Sequence, residues 1–158
     1  MSWSFVSYDS KYIKENFDCG KPVLNNYLKT KMSQDMKRKA NVPTLAINDR
    51  NEVVGYYTLS AGEVQFENFP AELKKKIAPY PVSVARLGRL AVDQSMHGKG
   101  LGADLLAHAI RKTEGVSQEI GMRALVVDAK DEDAESFYKH FGFDYLLTNS
   151  SRKSLFLL

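Results

Sequence analysis

A glycine-rich stretch at residues 97–102 is the segment whose residue types and spacing best suit binding chemistry. An apolar run at residues 90–92 leads into the letters HGKGLG, and helical apolar spacing follows from Leu101 onward. The start of a helix presents free N–H groups and a positive dipole end, and both attract phosphate. Glycines allow the backbone to approach such a ligand closely. The residues alone therefore indicate either a phosphate cradle or an ordinary turn between a strand and a helix.

The glycine spacing excludes two familiar phosphate motifs. The stretch reads G-x-G-x-G, whereas the dinucleotide fingerprint is G-x-G-x-x-G. A Walker A loop needs Ser or Thr after its lysine, and here Gly100 follows Lys99. Any phosphate bound by this loop is therefore held in a different arrangement.

Tyr138 carries a hydroxyl whose ordinary pKa is about 10, so it stays protonated at neutral pH and is able to donate a proton. The same residue lies between Phe137 and Phe141 at helical spacing, which also suits packing in a core. Its type and position leave both roles open.

Basic residues concentrate in the N-terminal half of the chain. Between positions 29 and 39 there is one acidic residue, Asp35, and there are five basic ones: Lys29, Lys31, Lys37, Arg38 and Lys39. Arg86 and Arg89 follow in a predicted strand. Such a stripe suits a polyanion such as nucleic acid, or it is a solvated helix face.

Length and composition predict one domain over residues 1–158. The chain has 158 residues, a net charge of +3, one cysteine and three histidines. One cysteine forms no internal disulfide, and this set of ligands argues against a zinc site, so no metal is expected. No apolar run approaches the roughly 18 residues of a membrane helix, and the N-terminus has no signal-peptide pattern. We expect a cytoplasmic protein.

The apolar periodicities predict a mixed sheet with helices on both faces. Helices are expected over Pro22–Lys37, Pro70–Lys76, from about Leu101 and from about Asp131 to Phe141. Strands are expected at Phe5–Tyr8, Thr44–Asn48, Val53–Ala61, Val82–Val92, Arg123–Ala129, Phe143–Leu147 and Ser154–Leu157. Gly55 marks a predicted bulge, and Gly142 a predicted helix end.

Two motifs resemble those of the GNAT acetyltransferase superfamily. The glycine loop is similar to motif A, Gln/Arg-x-x-Gly-x-Gly/Ala, with His97, Gly100 and Gly102 at the three defined positions. Val92 matches the residue whose backbone pairs with the pantetheine arm of coenzyme A. Residues 134–143, AESFYKHFGF, look like motif B, A-x-x-F-Y-x-x-x-G-F. A histidine replaces the usual Gln or Arg, so this contact with phosphate is expected to depend on pH.

The resemblance extends to one branch of that superfamily. The segments FDCG at 17–20, LNNYL at 24–28, GYYTLSA at 55–61, RLAVD at 89–93 and VDAKD at 127–131 are similar to the tRNA-acetylating toxins of bacterial type II toxin–antitoxin systems. Together with the two motifs, they cover nearly the whole chain. Gln94 stands where many superfamily members carry proline.

The resemblance implies the GNAT fold, an α/β fold whose central, mostly antiparallel sheet is splayed where acetyl-CoA binds. It implies cofactor contacts from Leu90, Ala91, Val92, His97, Gly98, Lys99, Gly100, Leu101, Gly102, Ala103 and Ser136. It also implies that a backbone N–H near Leu90 polarises the thioester carbonyl and that Tyr138 protonates the leaving thiolate.

The same resemblance implies the α-amino group of aminoacyl-tRNA as acceptor, so that translation is blocked. The residues expected to hold tRNA phosphates are Lys29, Lys37, Arg38, Arg86 and Arg89. A ribbon-helix-helix antitoxin and a homodimer are implied as partners. Two alternatives stay open: an acetyltransferase for a small-molecule amine or a protein amino group, and a module that binds acyl-CoA without turnover. For Arg89, an ion pair on the sheet surface is the competing role.

Overall fold

The computed structural model describes residues 2–147 and 153–158, in which seven strands form one mixed sheet. The strands are β1 (Ser4–Ser7), β2 (Val42–Ile47), β3 (Val53–Val64), β4 (Val82–Val92), β5 (Ala124–Ala129), β6 (Asp144–Tyr145) and β7 (Lys153–Leu157). Their order across the sheet is β1-β2-β3-β4-β5-β7-β6. Pairs β1–β2, β2–β3, β5–β7 and β6–β7 are antiparallel, and β4–β5 is parallel. The predicted mixed α/β class is confirmed.

Four α-helices accompany the strands within these described ranges. They are α1 (Pro22–Asn26), α2 (Met32–Lys37), α3 (Leu101–Ser117) and α4 (Glu132–His140). Short 3-10 turns occupy Phe66–Asn68, Ala71–Lys76 and Gln94–Met96. No helix in the described ranges is long and apolar enough to cross a membrane.

The helix predicted over Pro22–Lys37 contains a π-helical turn at Tyr27–Lys31, between α1 and α2. The Thr30 hydroxyl donates a hydrogen bond of 2.8 Å to the Asn26 carbonyl, four residues earlier. Such a side-chain donor shares a carbonyl that the helix backbone otherwise uses, and it often accompanies a local distortion. The four-residue apolar repeat still points inward, because Leu24, Leu28 and Met32 are all buried.

One compact unit comprises Met1–Ser60 and Gly88–Arg111. Its sheet has helices on both faces, as adjacent residues of β3 show. A Cβ built on Gly55 lies 3.0 Å from the Leu105 side chain of α3, whereas the Tyr56 hydroxyl donates to the Leu24 carbonyl of α1 at 2.8 Å. Successive strand residues point to opposite faces, so α1 and α3 cover opposite sides of this strand. The register between β2 and β3 also shifts beside Gly55, which confirms the predicted bulge.

The other compact unit comprises Ala61–Leu87 and Lys112–Leu158. Its core includes Phe69 and Phe156, whose rings pack edge to face with centroids 5.1 Å apart. Helix α4 begins at Glu132, one residue later than predicted, because the Asp131 carboxylate caps it by accepting a hydrogen bond of 2.8 Å from the Ala134 N–H. The chain then leaves the helix through Gly142 at φ 93°, a conformation that favours glycine.

Two predicted elements of this unit are shorter or tighter than expected. The helix expected over Pro70–Lys76 is a 3-10 helix, Ala71–Lys76, a form common in short connecting segments. The strand expected over Phe143–Leu147 is limited to Asp144–Tyr145. It ends there because the Leu147 N–H donates to the Asn68 carbonyl at 2.7 Å and so leaves the strand ladder.

Candidate active site

The C-terminal half of β4 is accessible although this strand occupies an interior position in the sheet. Gly88 is exposed, and Leu90 and Val92 are half-buried, whereas Val82 and Val84 at the other end of the strand are buried. Interior strands of a sheet are usually covered on both faces. The open segment from Gly88 to Val92 therefore offers apolar side chains and backbone groups to a ligand.

The glycine loop joins this open strand to α3 and has the geometry of an anion cradle. Gly98 and Gly100 adopt φ angles of 77° and 88°, and residues 97–100 are exposed. A Cβ built on either glycine meets no atom of the described chain within 4 Å. Helix α3 begins immediately afterwards at Leu101, and the N–H groups of a first helical turn have no intrahelical acceptor. The loop thus combines open space, free donors and a positive helix end.

The candidate residues Val92 and His97 are in direct contact. The Nε2 atom of His97 lies 2.9 Å from the Val92 carbonyl oxygen. Because a carbonyl only accepts, Nε2 is the donor in this hydrogen bond. The imidazole therefore braces the loop against the end of β4.

A network of carboxylate and amide side chains fixes the loop before its first glycine. Asp93 Oδ1 accepts from the Asp18 N–H at 2.8 Å, and Asp93 Oδ2 accepts from the N–H and hydroxyl of Ser95 at 3.0 and 2.6 Å. The Asp18 carbonyl in turn accepts from the Gln94 N–H at 2.9 Å. Residues 17–20 and 93–95, far apart in sequence, are thereby held together.

Asp18 and Asn25 complete this network. The Asp18 carboxylate accepts from the Gly20 N–H and from Asn25 Nδ2, both at 2.9 Å, and Asn25 Oδ1 accepts from the Cys19 N–H at 2.8 Å. The Gly20 backbone hydrogen bond, followed by that of Asn25, lowers the pKa of Asp18. Sequence reasoning missed this supporting role, although the FDCG and LNNYL segments that supply it stood out for their resemblance.

Asp93→Ala is expected to lower the free energy of unfolding by about 1–2 kcal/mol, because three hydrogen bonds at a capping position are lost. It should also weaken binding at the loop, measured as the affinity for acetyl-CoA by calorimetry. Asp49→Ala is the matched control, since exposed Asp49 accepts one bond of 3.3 Å from the Ser2 hydroxyl. Equal unfolding and binding curves for both variants would contradict the bracing role of Asp93.

Tyr138 lies on α4 in the unit that contains Ala61–Leu87 and Lys112–Leu158. Its ring packs against Phe137 and Phe143, with centroids 5.3 and 5.4 Å away, and its side chain is buried. Burial raises the pKa of Tyr138 to about 12, so the hydroxyl keeps its proton throughout the physiological range. Packing and a proton-donor role are thus compatible in one residue. Ser136, two positions earlier on α4, is exposed.

Arg89 stacks on a tyrosine instead of forming an ion pair on the sheet surface. Its guanidinium carbon lies 3.6 Å from the centroid of the Tyr27 ring. The Tyr27 hydroxyl donates to Asp35 Oδ2 at 2.8 Å and accepts from Asn41 Nδ2 at 2.8 Å. Desolvation raises the pKa of Tyr27, so its ring remains neutral beneath the cation.

The other basic candidates differ in their surroundings. Lys37 and Arg38 are exposed at the end of α2, and Lys29 is half-buried in the π-helical turn. Arg86 forms an ion pair of 3.4 Å with Asp128, whose other carboxylate oxygen accepts from the Ser154 hydroxyl at 2.6 Å. Arg86 therefore has an anionic partner already, and a phosphate has to compete with it.

Comparisons with known proteins identify the family to which this chain belongs. The acetyltransferase (GNAT) domain family matches residues 41–145. A tRNA-acetylating toxin of Mycobacterium tuberculosis (strain ATCC 25618 / H37Rv) is 35% identical over 129 residues, 82% of this chain and 76% of that protein.

Two solved structures are similar over nearly the full chain. AtaT complexed with acetyl-methionyl-tRNAfMet is 31% identical, with a TM-score of 0.92 over 99% of this chain and 94% of that one. A tyrosine-to-phenylalanine mutant of AtaT, bound to the C-terminus of the antitoxin AtaR and acetyl-CoA, is 30% identical, with a TM-score of 0.84 over 98% of this chain and 92% of that one. With its glycine loop at the start of α3, the chain belongs to the GNAT family of acetyltransferases, among relatives that include tRNA-acetylating toxins.

Proposed function

We propose that this acetyltransferase moves the acetyl group of acetyl-CoA to the α-amino group of aminoacyl-tRNA and blocks translation as a toxin. The observation that carries this proposal is the similarity over 99% of the chain to AtaT complexed with acetyl-methionyl-tRNAfMet. The intact glycine loop and the open half of β4 supply the donor side of the same reaction. An acetylated α-amine has no free lone pair for peptide-bond formation, so the product cannot serve as an acceptor on the ribosome.

The exposed loop fits the pyrophosphate of coenzyme A. The N–H groups of the first turn of α3, from Leu101 to Ala103, together with the helix dipole, bind phosphate oxygens. His97 and Lys99 face the same anion, Ser136 is the proposed contact from α4, and the backbone of residues 90–92 pairs with the pantetheine arm. We propose that the sheet is splayed there to admit it. Acetyl-CoA supplies the acetyl group as an activated thioester.

The chain's own groups then assist transfer at both ends of the breaking bond. The backbone N–H near Leu90 donates to the thioester carbonyl oxygen, where negative charge develops as the amine attacks. The C–N bond forms, the C–S bond breaks, and the amine loses a proton to water. Tyr138 donates its phenolic proton to the departing thiolate and regains one from solvent.

The acceptor needs little help from a general base. A free α-amino group has an ordinary pKa near 8, and the adjacent ester of aminoacyl-tRNA lowers it further, so the neutral nucleophile is abundant at cellular pH. A lysine side chain, near 10.4, would need a dedicated base. This difference supports an aminoacyl ester over protein lysine as the acceptor.

The basic residues are proposed to hold the phosphates of tRNA. Lys29, Lys37, Arg38 and Arg89 belong to one compact unit, and Arg86 contributes after exchanging Asp128 for a phosphate. Contacts of this kind give sequence-independent affinity that weakens with salt, because each one releases a counterion.

Removing two of these charges should change the salt dependence of tRNA binding. The Lys37→Ala, Arg38→Ala double variant is expected to reduce the slope of log K against log salt by about 1.5. The matched control is Lys75→Ala with Lys76→Ala, which removes two exposed charges from a 3-10 turn. Equal slopes for the two double variants would remove the end of α2 from the tRNA interface.

Partners and organisation are proposed on the same basis. A relative binds the C-terminus of an antitoxin, AtaR, which supports an antitoxin partner here, of ribbon-helix-helix type. We also propose a homodimer that acts in the cytoplasm, where tRNA is charged. The GNAT match spans parts of both compact units, which supports residues 1–158 as a single domain.

A cell-free translation reaction tests the toxin proposal. Protein added together with acetyl-CoA should stop synthesis, whereas protein alone should leave it running. Fresh charged tRNA, added after the enzyme has been removed, should restore synthesis. Arrest without acetyl-CoA, or arrest that fresh charged tRNA does not relieve, would show that translation does not stop through acetylation of charged tRNA.

A further inference from the structure

Thr58 on β3 carries a buried hydroxyl that the fold does not satisfy. The residue is 1% exposed, and its Oγ1 atom has no hydrogen-bond partner among the described residues. A buried hydroxyl without a partner costs free energy, and native proteins keep few of them. Valine, of nearly the same shape, would fill the position without that cost. The hydroxyl therefore indicates a partner outside the described residues.

Gly88 leaves the surface of β4 beside Thr58 without a side chain. A Cβ built on Gly88 would lie 3.1 Å from Thr58 Oγ1 and meets no other atom of the described chain within 4 Å. Gly88 is exposed, and its φ is not in the left-handed region that requires glycine. A glycine inside a strand weakens the strand and often marks the close approach of a ligand. Here Gly88 places no side chain between Thr58 Oγ1 and the exposed surface of β4, although Oγ1 itself is buried.

The position of Gly88 relates this space to the transfer reaction. Gly88 begins the accessible half of β4 and lies two residues before Leu90, whose N–H is the proposed donor to the thioester carbonyl. Two strand residues span roughly 7 Å, so Gly88 lies close to that donor along the strand. Thr58 and Gly88 belong to the same compact unit.

The chemistry of a hydroxyl suits a neutral amine better than a cation. A carboxylate would stabilise the protonated ammonium, which has no lone pair for attack. A hydroxyl oxygen accepts an N–H bond without that charge effect and can orient the lone pair toward the carbonyl carbon. We propose that Thr58 Oγ1 accepts a hydrogen bond from the α-amino group of the bound aminoacyl ester, in the space left by Gly88. This inference rests on the proposed function.

Thr58→Val tests the proposed role of Thr58, because the variant is expected to lose activity without losing thermal stability. The variant should lower kcat/KM for charged tRNA about tenfold, because one neutral hydrogen bond to the nucleophile is lost. The affinity for acetyl-CoA, measured by calorimetry, should not change. The melting temperature should stay equal or rise, because an unsatisfied buried hydroxyl has been removed. Thr58→Ser, which keeps the hydroxyl, should recover most of the activity.

Gly88→Ala is the second variant. Its methyl group fills the space above Thr58, so transfer to charged tRNA should fall while the protein stays folded. Undiminished kcat/KM in Thr58→Val would overturn the inference, and so would a fall in its melting temperature that Thr58→Ser reverses, since the hydroxyl would then be structural. If the wild-type chain fails to label charged tRNA, the proposed function fails and the inference with it. If the wild-type chain labels charged tRNA and Thr58→Val is fully active, the proposed function stands and only the role of Thr58 is excluded.

Discussion

Replacing Tyr138 with phenylalanine is expected to lower turnover by about 100-fold or more, the usual scale for a positioned general acid. The ring remains, so its packing against Phe137 and Phe143 is kept and the melting temperature should change little. Acetyl-CoA should still bind, because the phenol acts on the leaving group and not on the phosphate contacts. Steady-state rates and calorimetry on the same preparation separate these effects.

The pH profile gives Tyr138 a second test. Because burial raises its pKa to about 12, the acid form persists well above neutral pH. The wild-type rate should therefore rise with pH as the acceptor amine loses its proton. Below about pH 10 it should show no decline caused by ionisation of Tyr138. Tyr145→Phe serves as control, since it removes the hydroxyl that donates to Glu135 in the same unit. A Tyr138→Phe enzyme as fast as this control would exclude Tyr138 from the mechanism.

Gly100→Glu is expected to lower the affinity for acetyl-CoA by about 100-fold or more. Gly100 has a φ of 88°, so any L side chain is strained there, and the new Cβ points into the open space of the cradle. The glutamate then brings negative charge to the start of α3, where the helix dipole and free N–H groups would otherwise bind phosphate. Titration calorimetry with acetyl-CoA measures the loss.

Two controls separate strain from charge at this loop. Gly100→Asn tolerates a positive φ without adding charge, so it should retain much of the affinity. Gly115→Glu adds the same charge within α3, at a position where a Cβ meets nothing within 4 Å. Normal acetyl-CoA affinity in Gly100→Glu would show that the phosphates bind elsewhere.

Local signals predicted the elements that position the site. Strand β4 spans the predicted Val82–Val92, and the end of α4 at Gly142 was also readable, because such signals depend on neighbouring residues. The π-helical turn at Tyr27–Lys31 was not predicted, since the four-residue apolar repeat continues through it. Helical periodicity reports the buried face and is insensitive to a hydrogen bond that shifts by one carbonyl.

The contacts that shape the site were less predictable. The bond between Asp93 and the Asp18 N–H and the stack of Arg89 on Tyr27 join residues distant in sequence. The sequence shows that Arg89 is a cation, but its aromatic partner, Tyr27, results from tertiary packing. The unpaired Thr58 hydroxyl is likewise invisible in a sequence in which threonine suits any strand.

The most direct test of the proposed activity combines purified protein, labelled acetyl-CoA and bulk tRNA, charged in one tube and deacylated in the other. The proposal predicts label in the charged tRNA alone, released by mild base as an N-acetylated amino acid whose identity names the acceptor. Absence of label from both tubes, with acetyl-CoA still bound by the protein, would contradict it. The acceptor would then be a small-molecule amine or a protein amino group.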